Sequence, residues 1–149
     1  MNSHALAGLV AAILLSLAAI HVYWAVGGRR GAAVAVPSRG VGLGLGLGSE
    51  APVFQPGPAV TAAVAVALGL AALIVLGRAG VAPSFGPERL YRAASWMLGA
   101  VFAVRAIGEF RYVGITKRVR STAFARLDTW VYTPLCAALS AALFVLAAA

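Results

Sequence analysis

Four long apolar stretches dominate the chain and limit what it can fold into. They place helical membrane spans at about residues 6–26, 59–77, 93–112 and 130–149. Each stretch is close to the roughly 20 residues that a helix needs to cross about 30 Å of hydrocarbon. Hydrophobic residues make up 62% and charged residues 11% of the 149 residues, whereas about 25% of a soluble domain is charged. The sequence therefore predicts an all-α polytopic integral membrane protein with four transmembrane helices in an antiparallel bundle.

The four spans leave little chain for anything else, so we expect a single four-helix transmembrane domain over residues 1–149. The longest connection is a Gly- and Pro-rich loop at 27–58, between the first and second spans. Its GLGLGLG run lacks the lysine and the strand-to-helix setting of phosphate-binding loops, which favours a flexible linker. No Lys or Arg precedes the first span and no small-residue cleavage site follows it, so we expect a retained helix and not a signal peptide.

The basic residues predict how the protein is oriented in the membrane. The net charge is +8, but the basic residues flank apolar spans and form no solvated patch with interleaved aromatics, so we expect no nucleic-acid partner. Three lie in the middle loop, and seven lie in the first and third loops, namely Arg29, Arg30, Arg39, Lys117, Arg118, Arg120 and Arg126. By the positive-inside bias we expect the basic loops in the cytoplasm and both termini outside.

The third span ends in RAIGEFRYVG, where polar side chains follow one another at helical spacing. If the helix continues through this stretch, Arg105, Glu109 and Tyr112 share one face. Because a charged residue in hydrocarbon costs several kcal/mol, that face should point into the bundle or into a water-filled cavity. Arg105 and Glu109 would also neutralise each other, so a purely structural pair is the alternative.

Topology brings further polar residues to the same half of the membrane. The first helix ends there with His21 and Trp24, the third loop contributes Lys117, and the fourth helix begins there with Asp128 and Tyr132. The sequence thus predicts a polar intramembrane pocket near the cytoplasmic face. The structural alternatives are that His21 belongs to an interfacial aromatic belt and that Asp128 only precedes the fourth helix.

The start of the fourth span carries its own signal. Thr133 followed by Pro134 is typical of a helix N-cap with proline at the first helical position. A helix over 134–149 has 16 residues and is short for a span. Either the bilayer thins there or residues 127–132 enter it as a preceding turn.

The polar residue types suit acid–base chemistry on a lipophilic molecule. A carboxylic acid in a low-dielectric pocket keeps its proton and can donate it near neutral pH, so the catalytic candidates are Glu109, Asp128 and His21. If Arg105 pairs with Glu109, Asp128 is the better acid. Cationic side chains can hold an anionic headgroup, and aromatic rings stabilise a cation. The ligand-binding candidates are therefore Arg105, Trp24, Tyr112, Tyr132 and Lys117.

No metal and no cofactor are expected. His21, Glu109 and Asp128 would form a set of one imidazole and two carboxylates, but no H-x-x-x-H, C-x-x-C or E-x-x-H spacing supports a metal site. Haem held by two histidines is disfavoured because His4 and His21 lie at opposite ends of the first helix.

Three motifs carry a resemblance to a known family. They are HVYWAVGG at 21–28, WMLGAVFAVRAIGEFRYVGITK at 96–117 and TAFARLDTWVYTPLC at 122–136. Together with the Pro-rich first loop they resemble the small bacterial four-helix membrane proteins known as domain of unknown function 3995. The resemblance implies a four-helix fold in a bacterial cell membrane, and it implies no activity. The motif residues of that family fall on the polar side that topology predicts.

These observations support two leading functions. The first is an enzyme that cyclises or isomerises a lipophilic or isoprenoid substrate. The alternative is a non-enzymatic assembly or binding subunit, whose apolar exterior meets a membrane protein partner or a second copy. A transporter or proton path is less favoured, because no inverted repeat or pair of broken helices is evident. The expected partners are membrane lipids and, for the enzyme, a lipophilic small molecule.

Overall fold

The computed structural model describes residues 2–39, 51–83 and 86–149. Within these residues, four helices are long and apolar enough to cross a membrane: Ser3–Ala25, Pro58–Arg78, Glu88–Ile107 and Ala123–Ala148. The predicted all-α polytopic architecture is therefore confirmed. The GLGLGLG run of the first loop lies outside the described residues.

The elements follow one another in a simple order. They are α1 (Ser3–Ala25), α2 (Ala32–Ala35), β1 (Ser38–Arg39), β2 (Ala51–Pro52), α3 (Pro58–Arg78), α4 (Glu88–Ile107), α5 (Ala123–Leu127), a π-helical turn (Asp128–Tyr132) and α6 (Thr133–Ala148). The two short strands pair antiparallel, with Ser38 opposite Pro52 and Arg39 opposite Ala51. The first loop thus has local structure on both sides of its undescribed part.

The bundle consists of two helix pairs that pack against each other. The helix α1 packs along α3 and α4 packs along α6, while contacts of α3 with α4 and of α1 with α6 join the pairs. The apolar core lies in the half of the bundle nearer the two termini, where Val10, Leu14, Val75, Leu139 and Leu143 are fully buried. The other half of the bundle holds the polar residues described below.

The third transmembrane helix differs from its prediction at both ends. It begins at Glu88 and ends at Ile107, whereas the sequence predicts a span over 93–112. The carbonyl of Ala106 accepts a hydrogen bond from the Ile115 amide at 3.0 Å, and that of Ile107 accepts one from the Thr116 amide at 3.2 Å. These bonds replace the next helical turn, and Gly108 leaves the helix with φ 92°. Residues 105, 109 and 112 therefore do not share one helix face, contrary to the prediction.

The fourth transmembrane helix begins earlier than predicted. Its N-cap is Thr122, whose hydroxyl accepts a hydrogen bond from the Ala125 amide at 3.1 Å. Thr133 has helical backbone angles, so its assignment as the N-cap is wrong, and the alternative in which residues 127–132 enter as a preceding turn holds. Pro134 has no N–H to continue a regular α-helical ladder, and the π-helical turn immediately before it accommodates that loss.

Candidate functional site

In the described part of the chain, the polar side chain with the most hydrogen bonds is the carboxylate of Asp128, which is fully buried. Its Oδ1 accepts a hydrogen bond from Arg105 Nη2 at 2.8 Å. Its Oδ2 accepts three more, from the Gly114 amide at 2.8 Å, Lys117 Nζ at 3.0 Å and Thr133 Oγ1 at 3.2 Å. We call these five residues the Asp128 cluster.

The cluster ties three parts of the chain together. Arg105 stands in the last turn of α4, and Gly114 and Lys117 belong to the connection over residues 108–122, called here the 108–122 loop. Asp128 opens the π-helical turn, which has five residues, and Thr133 is the residue that follows it. The wider spacing of a π-helical turn brings the Thr133 hydroxyl back to the carboxylate.

Two glycines give the 108–122 loop its shape. Gly108 and Gly114 have φ of 92° and 80°, in the region that side chains other than glycine rarely adopt. A Cβ on Gly108 would collide with the Val113 carbonyl oxygen, and one on Gly114 would collide with that of Ile107. The backbone at Gly114 therefore packs directly against the backbone at Ile107 and Gly108. This close contact orients the Gly114 amide toward Asp128.

The electrostatics of the cluster favour a structural role. Lys117 is buried, with 3% of its side chain exposed, and its ammonium also donates to the Gly114 carbonyl at 3.1 Å. Lys117 was predicted to hold an anionic headgroup, but its ammonium is engaged within the cluster. Four donors, two of them cationic, fill the acceptor positions of an ionised carboxylate. Arg105 Nη1 is buried without an acceptor in the part of the chain that the structure describes.

Glu109 lies apart from Asp128. Its side chain is exposed and accepts a hydrogen bond from the backbone amide of Tyr112 within the 108–122 loop. The expected pair of Arg105 with Glu109 does not form, because α4 ends between them. Tyr112 is half-buried, and the guanidinium of Arg111 lies over its ring at 5.2 Å from the ring centre.

His21 and Trp24 form a second polar feature at the end of α1. His21 Nδ1 lies 2.8 Å from the Leu17 carbonyl oxygen. Because a carbonyl only accepts, Nδ1 carries the hydrogen and the neutral ring keeps its lone pair on Nε2. The two rings meet edge to face with centres 5.2 Å apart, and Trp24 Nε1 donates to the Arg30 carbonyl at 2.9 Å.

A groove of about 900 Å³ opens beside these rings. It is bounded by the end of α1, by the first loop with α2, and by the start of α3. Its apolar lining includes Trp24, Phe54, Val60 and Val64, and its polar lining includes His21, Arg29, Ser38, Gln55 and Thr61. We call this cavity the first-loop groove.

Tyr132 connects the two features. Its hydroxyl donates to the carbonyl of Val34 in α2 at 3.3 Å, and its ring centre is 6.0 Å from that of Phe124 in α5. Tyr132 therefore contacts α2, which forms one wall of the first-loop groove. It lies four residues after Asp128 in the sequence.

The predicted site residues thus separate into groups. The Asp128 cluster contains Arg105, Lys117 and Asp128. The first-loop groove is lined by His21 and Trp24. The 108–122 loop contains Glu109 and Tyr112. Two partners of Asp128, the Gly114 amide and the Thr133 hydroxyl, are not predictable from the sequence, because a backbone donor has no sequence signal and the Thr-Pro pair resembles a cap. Among the described residues, no cluster of three His, Cys, Asp or Glu side chains is placed to hold a metal ion.

Comparisons with known proteins place these features in a wider group. A family model described as "Protein of unknown function (DUF3995)" matches residues 14–143. The match includes the whole Asp128 cluster and all of the lining of the first-loop groove. No curated protein and no solved structure matched the chain.

Proposed function

The chain belongs to the DUF3995 family, whose description assigns no activity, and from its geometry we propose that it is a membrane-embedded binding protein. Its ligand is a lipophilic molecule with a polar head, held in the first-loop groove. The observation that carries this proposal is the His21 ring, which lines the groove beside apolar walls and whose Nε2 bonds to none of the described residues.

The groove has the size and lining of a small-molecule site. Ligand pockets commonly measure about 300–1,000 Å³ and are mostly apolar with a few polar groups that orient the ligand. The groove, at about 900 Å³, fits this description. His21 Nε2 offers an acceptor to a hydroxyl or amide of the ligand, and the Arg29 guanidinium can meet an anionic or carbonyl group.

The position of the groove favours a lipophilic ligand. His21 and Val64 both belong to helices that can span the membrane, α1 and α3. Phe54 and Val60 also line the groove and are largely exposed. An apolar chain can cover such walls from the lipid side, while a head group stays near the first loop. By the basic residues of that loop, we propose that this end of the bundle faces the cytoplasm and that both termini are outside.

The positions of the two carboxylates favour binding over acid catalysis. Asp128 is buried with four donors around it, and Glu109 is exposed in the 108–122 loop and does not line the groove. Of the three catalytic candidates only His21 lines the groove. This supports a second candidate function, isomerisation. His21 Nε2 would take the acidic proton from the carbon between a carbonyl group and a double bond of the ligand, the double bond would shift into conjugation with the carbonyl, and the same nitrogen would return the proton to the far carbon.

A groove-filling variant tests the binding function. We would purify the protein in mild detergent and identify extracted small molecules by mass spectrometry, comparing the native chain with Val64→Trp. Leu73→Trp is the matched control, because Leu73 is an exposed residue of the same helix outside the groove. We expect a near-stoichiometric lipophilic molecule in the native and control samples and its loss in Val64→Trp.

The proposal fails if Val64→Trp retains the molecule, or if the native protein carries only bulk phospholipid. A co-purifying membrane protein in that second case would favour the assembly role. If a ligand is found, incubating it in D₂O with the native protein and with His21→Gln tests isomerisation. Deuterium entering the ligand only with the native protein would support that step.

A further inference from the structure

A second cavity lies on the other side of β1, and its lining is strongly basic. It has a volume of about 620 Å³ and is lined by Arg39, Arg111, Tyr112, Arg118, Val119, Arg120 and Ser121. We call it the arginine cavity. Four arginines line it, and no Asp or Glu is among the lining residues in the described part of the chain. We propose that it binds the phosphate of an anionic lipid headgroup.

Backbone hydrogen bonds hold the arginines of the 108–122 loop close together. The Arg111 carbonyl accepts hydrogen bonds from the amides of Arg118 at 3.1 Å and Val119 at 2.9 Å. Residue 111 is thereby held against residues 118 and 119 across the 108–122 loop. The Arg111 guanidinium also rests over the Tyr112 ring, a cation–π contact that restricts its motion.

The fourth arginine comes from the first loop. In β1, Ser38 is buried and lines the first-loop groove, while its neighbour Arg39 is exposed and lines the arginine cavity. Successive side chains of a strand point to opposite faces, so one short strand separates the two cavities. The arginine cavity is therefore a separate site, and its proposal does not depend on a ligand in the groove.

In the part of the chain that the structure describes, no acidic side chain neutralises the four arginines of the cavity. Within the described residues, none of Arg39, Arg111, Arg118 and Arg120 pairs with a carboxylate. Guanidinium groups bind phosphate through two parallel charge-assisted hydrogen bonds. A cavity lined by four arginines suits a phosphate group with several oxygens.

The surroundings of the cavity favour a lipid as the source of the phosphate. The same loop exposes Phe110 and Ile115, at 63% and 66%, a few residues beyond the end of α4. Apolar side chains next to basic ones suit the membrane interface, where the former enter the hydrocarbon and the latter meet headgroup phosphates. An acidic soluble partner would match the charge and would leave these two side chains without an apolar environment.

Lipid binding to charge-matched variants tests this site. Native mass spectrometry would measure phosphatidylglycerol and phosphatidylcholine binding to the native chain, to Arg111→Gln/Arg118→Gln and to Arg89→Gln/Arg126→Gln. The last variant loses the same two charges outside the cavity. We expect the native and control proteins to prefer phosphatidylglycerol, and the cavity variant to bind it at least about tenfold more weakly, because several charge-assisted bonds are lost.

The proposal is overturned by any of the following results: an equal loss in both double variants, no preference for phosphatidylglycerol in the native protein, or tighter binding of polyglutamate than of the anionic lipid. A competition experiment with inorganic pyrophosphate shows whether the bound phosphate comes from a lipid or from a free anion. Displacement of bound phosphatidylglycerol by pyrophosphate supports phosphate recognition at the cavity, whereas pyrophosphate binding without lipid binding rejects the lipid as ligand. Equal thermal unfolding of the two double variants would confirm that both are folded.

Discussion

Replacing Asp128 by Asn should destabilise the protein strongly, although the two side chains have nearly the same shape. The amide has one acceptor oxygen and one NH₂ group. Whichever way it is turned, the NH₂ faces either Arg105 Nη2 or the three donors at Oδ2. A donor then meets a donor, and the Lys117 ammonium loses its buried counter-charge.

The size of the effect follows from burial. The side chains of Lys117 and Asp128 are 3% and 0% exposed, and breaking such a buried pair costs about 3–5 kcal/mol. Arg105 adds less, because 34% of its side chain is exposed and solvent screens that charge. Since proteins are commonly stable by about 5–15 kcal/mol, the loss is at least about a fifth of the total.

The measurement is unfolding in detergent, followed by the fluorescence of the three tryptophans. We would compare Asp128→Asn, Lys117→Met, the double variant, and Glu109→Gln as the control. In Glu109→Gln the amide oxygen can still accept from the Tyr112 amide, so we expect little change. Lys117→Met in the Asp128→Asn background removes the orphaned cation and should recover part of the loss, with a coupling of about 0.5–3 kcal/mol.

A different result would refute this reasoning. If Asp128→Asn unfolded no more easily than Glu109→Gln, the buried carboxylate would not stabilise the bundle. If the two cluster substitutions were simply additive, the contact of Lys117 with Asp128 would carry no energy of its own. In either case the Asp128 cluster would need a role other than a structural one.

Two further predictions concern the loop and the orientation. Gly114→Ala forces a strained φ and a backbone collision, so we expect it to lower the free energy of unfolding by more than about 2 kcal/mol. The control is Gly69→Ala, whose Cβ meets no atom within 4 Å and which should leave detergent-solubilised yield and unfolding unchanged. If the two variants unfolded alike, the close backbone contact at Gly114 would not matter for stability. A reporter enzyme fused after Ala149 should be active only outside the cytoplasm, and cytoplasmic activity would reverse the proposed orientation.

The fold was predictable because the bilayer imposes simple conditions on a sequence. A backbone in hydrocarbon must satisfy its own hydrogen bonds, so apolar runs of sufficient length become helices. Topology then places the ends of the first and third helices and the start of the fourth on one side. Arg105, Lys117 and Asp128 therefore fall in one half of the bundle, where their side chains meet.

The pairing within that half was not predictable from periodicity. The spacing of Arg105 and Glu109 suggests a pair only if the helix continues, and Gly108 ends it. Two glycines within RAIGEFRYVG were the available signal for a tight loop. The π-helical turn was not predictable either. It lies where α5 and α6 join, directly before Pro134, and local helix propensity does not determine whether such a junction is α-helical or π-helical.

The Asp128 cluster also explains how a small membrane protein keeps a groove open. Lipid is as apolar as the helix surfaces, so burial of apolar area alone does not fix how the helices align. Asp128 fixes the end of α4 and the 108–122 loop to the start of the π-helical turn. The same turn carries Tyr132, whose hydroxyl holds the Val34 carbonyl of α2 at the back of the first-loop groove. The Asp128 cluster can therefore set the shape of the first-loop groove from a distance, although its own residues do not line that groove.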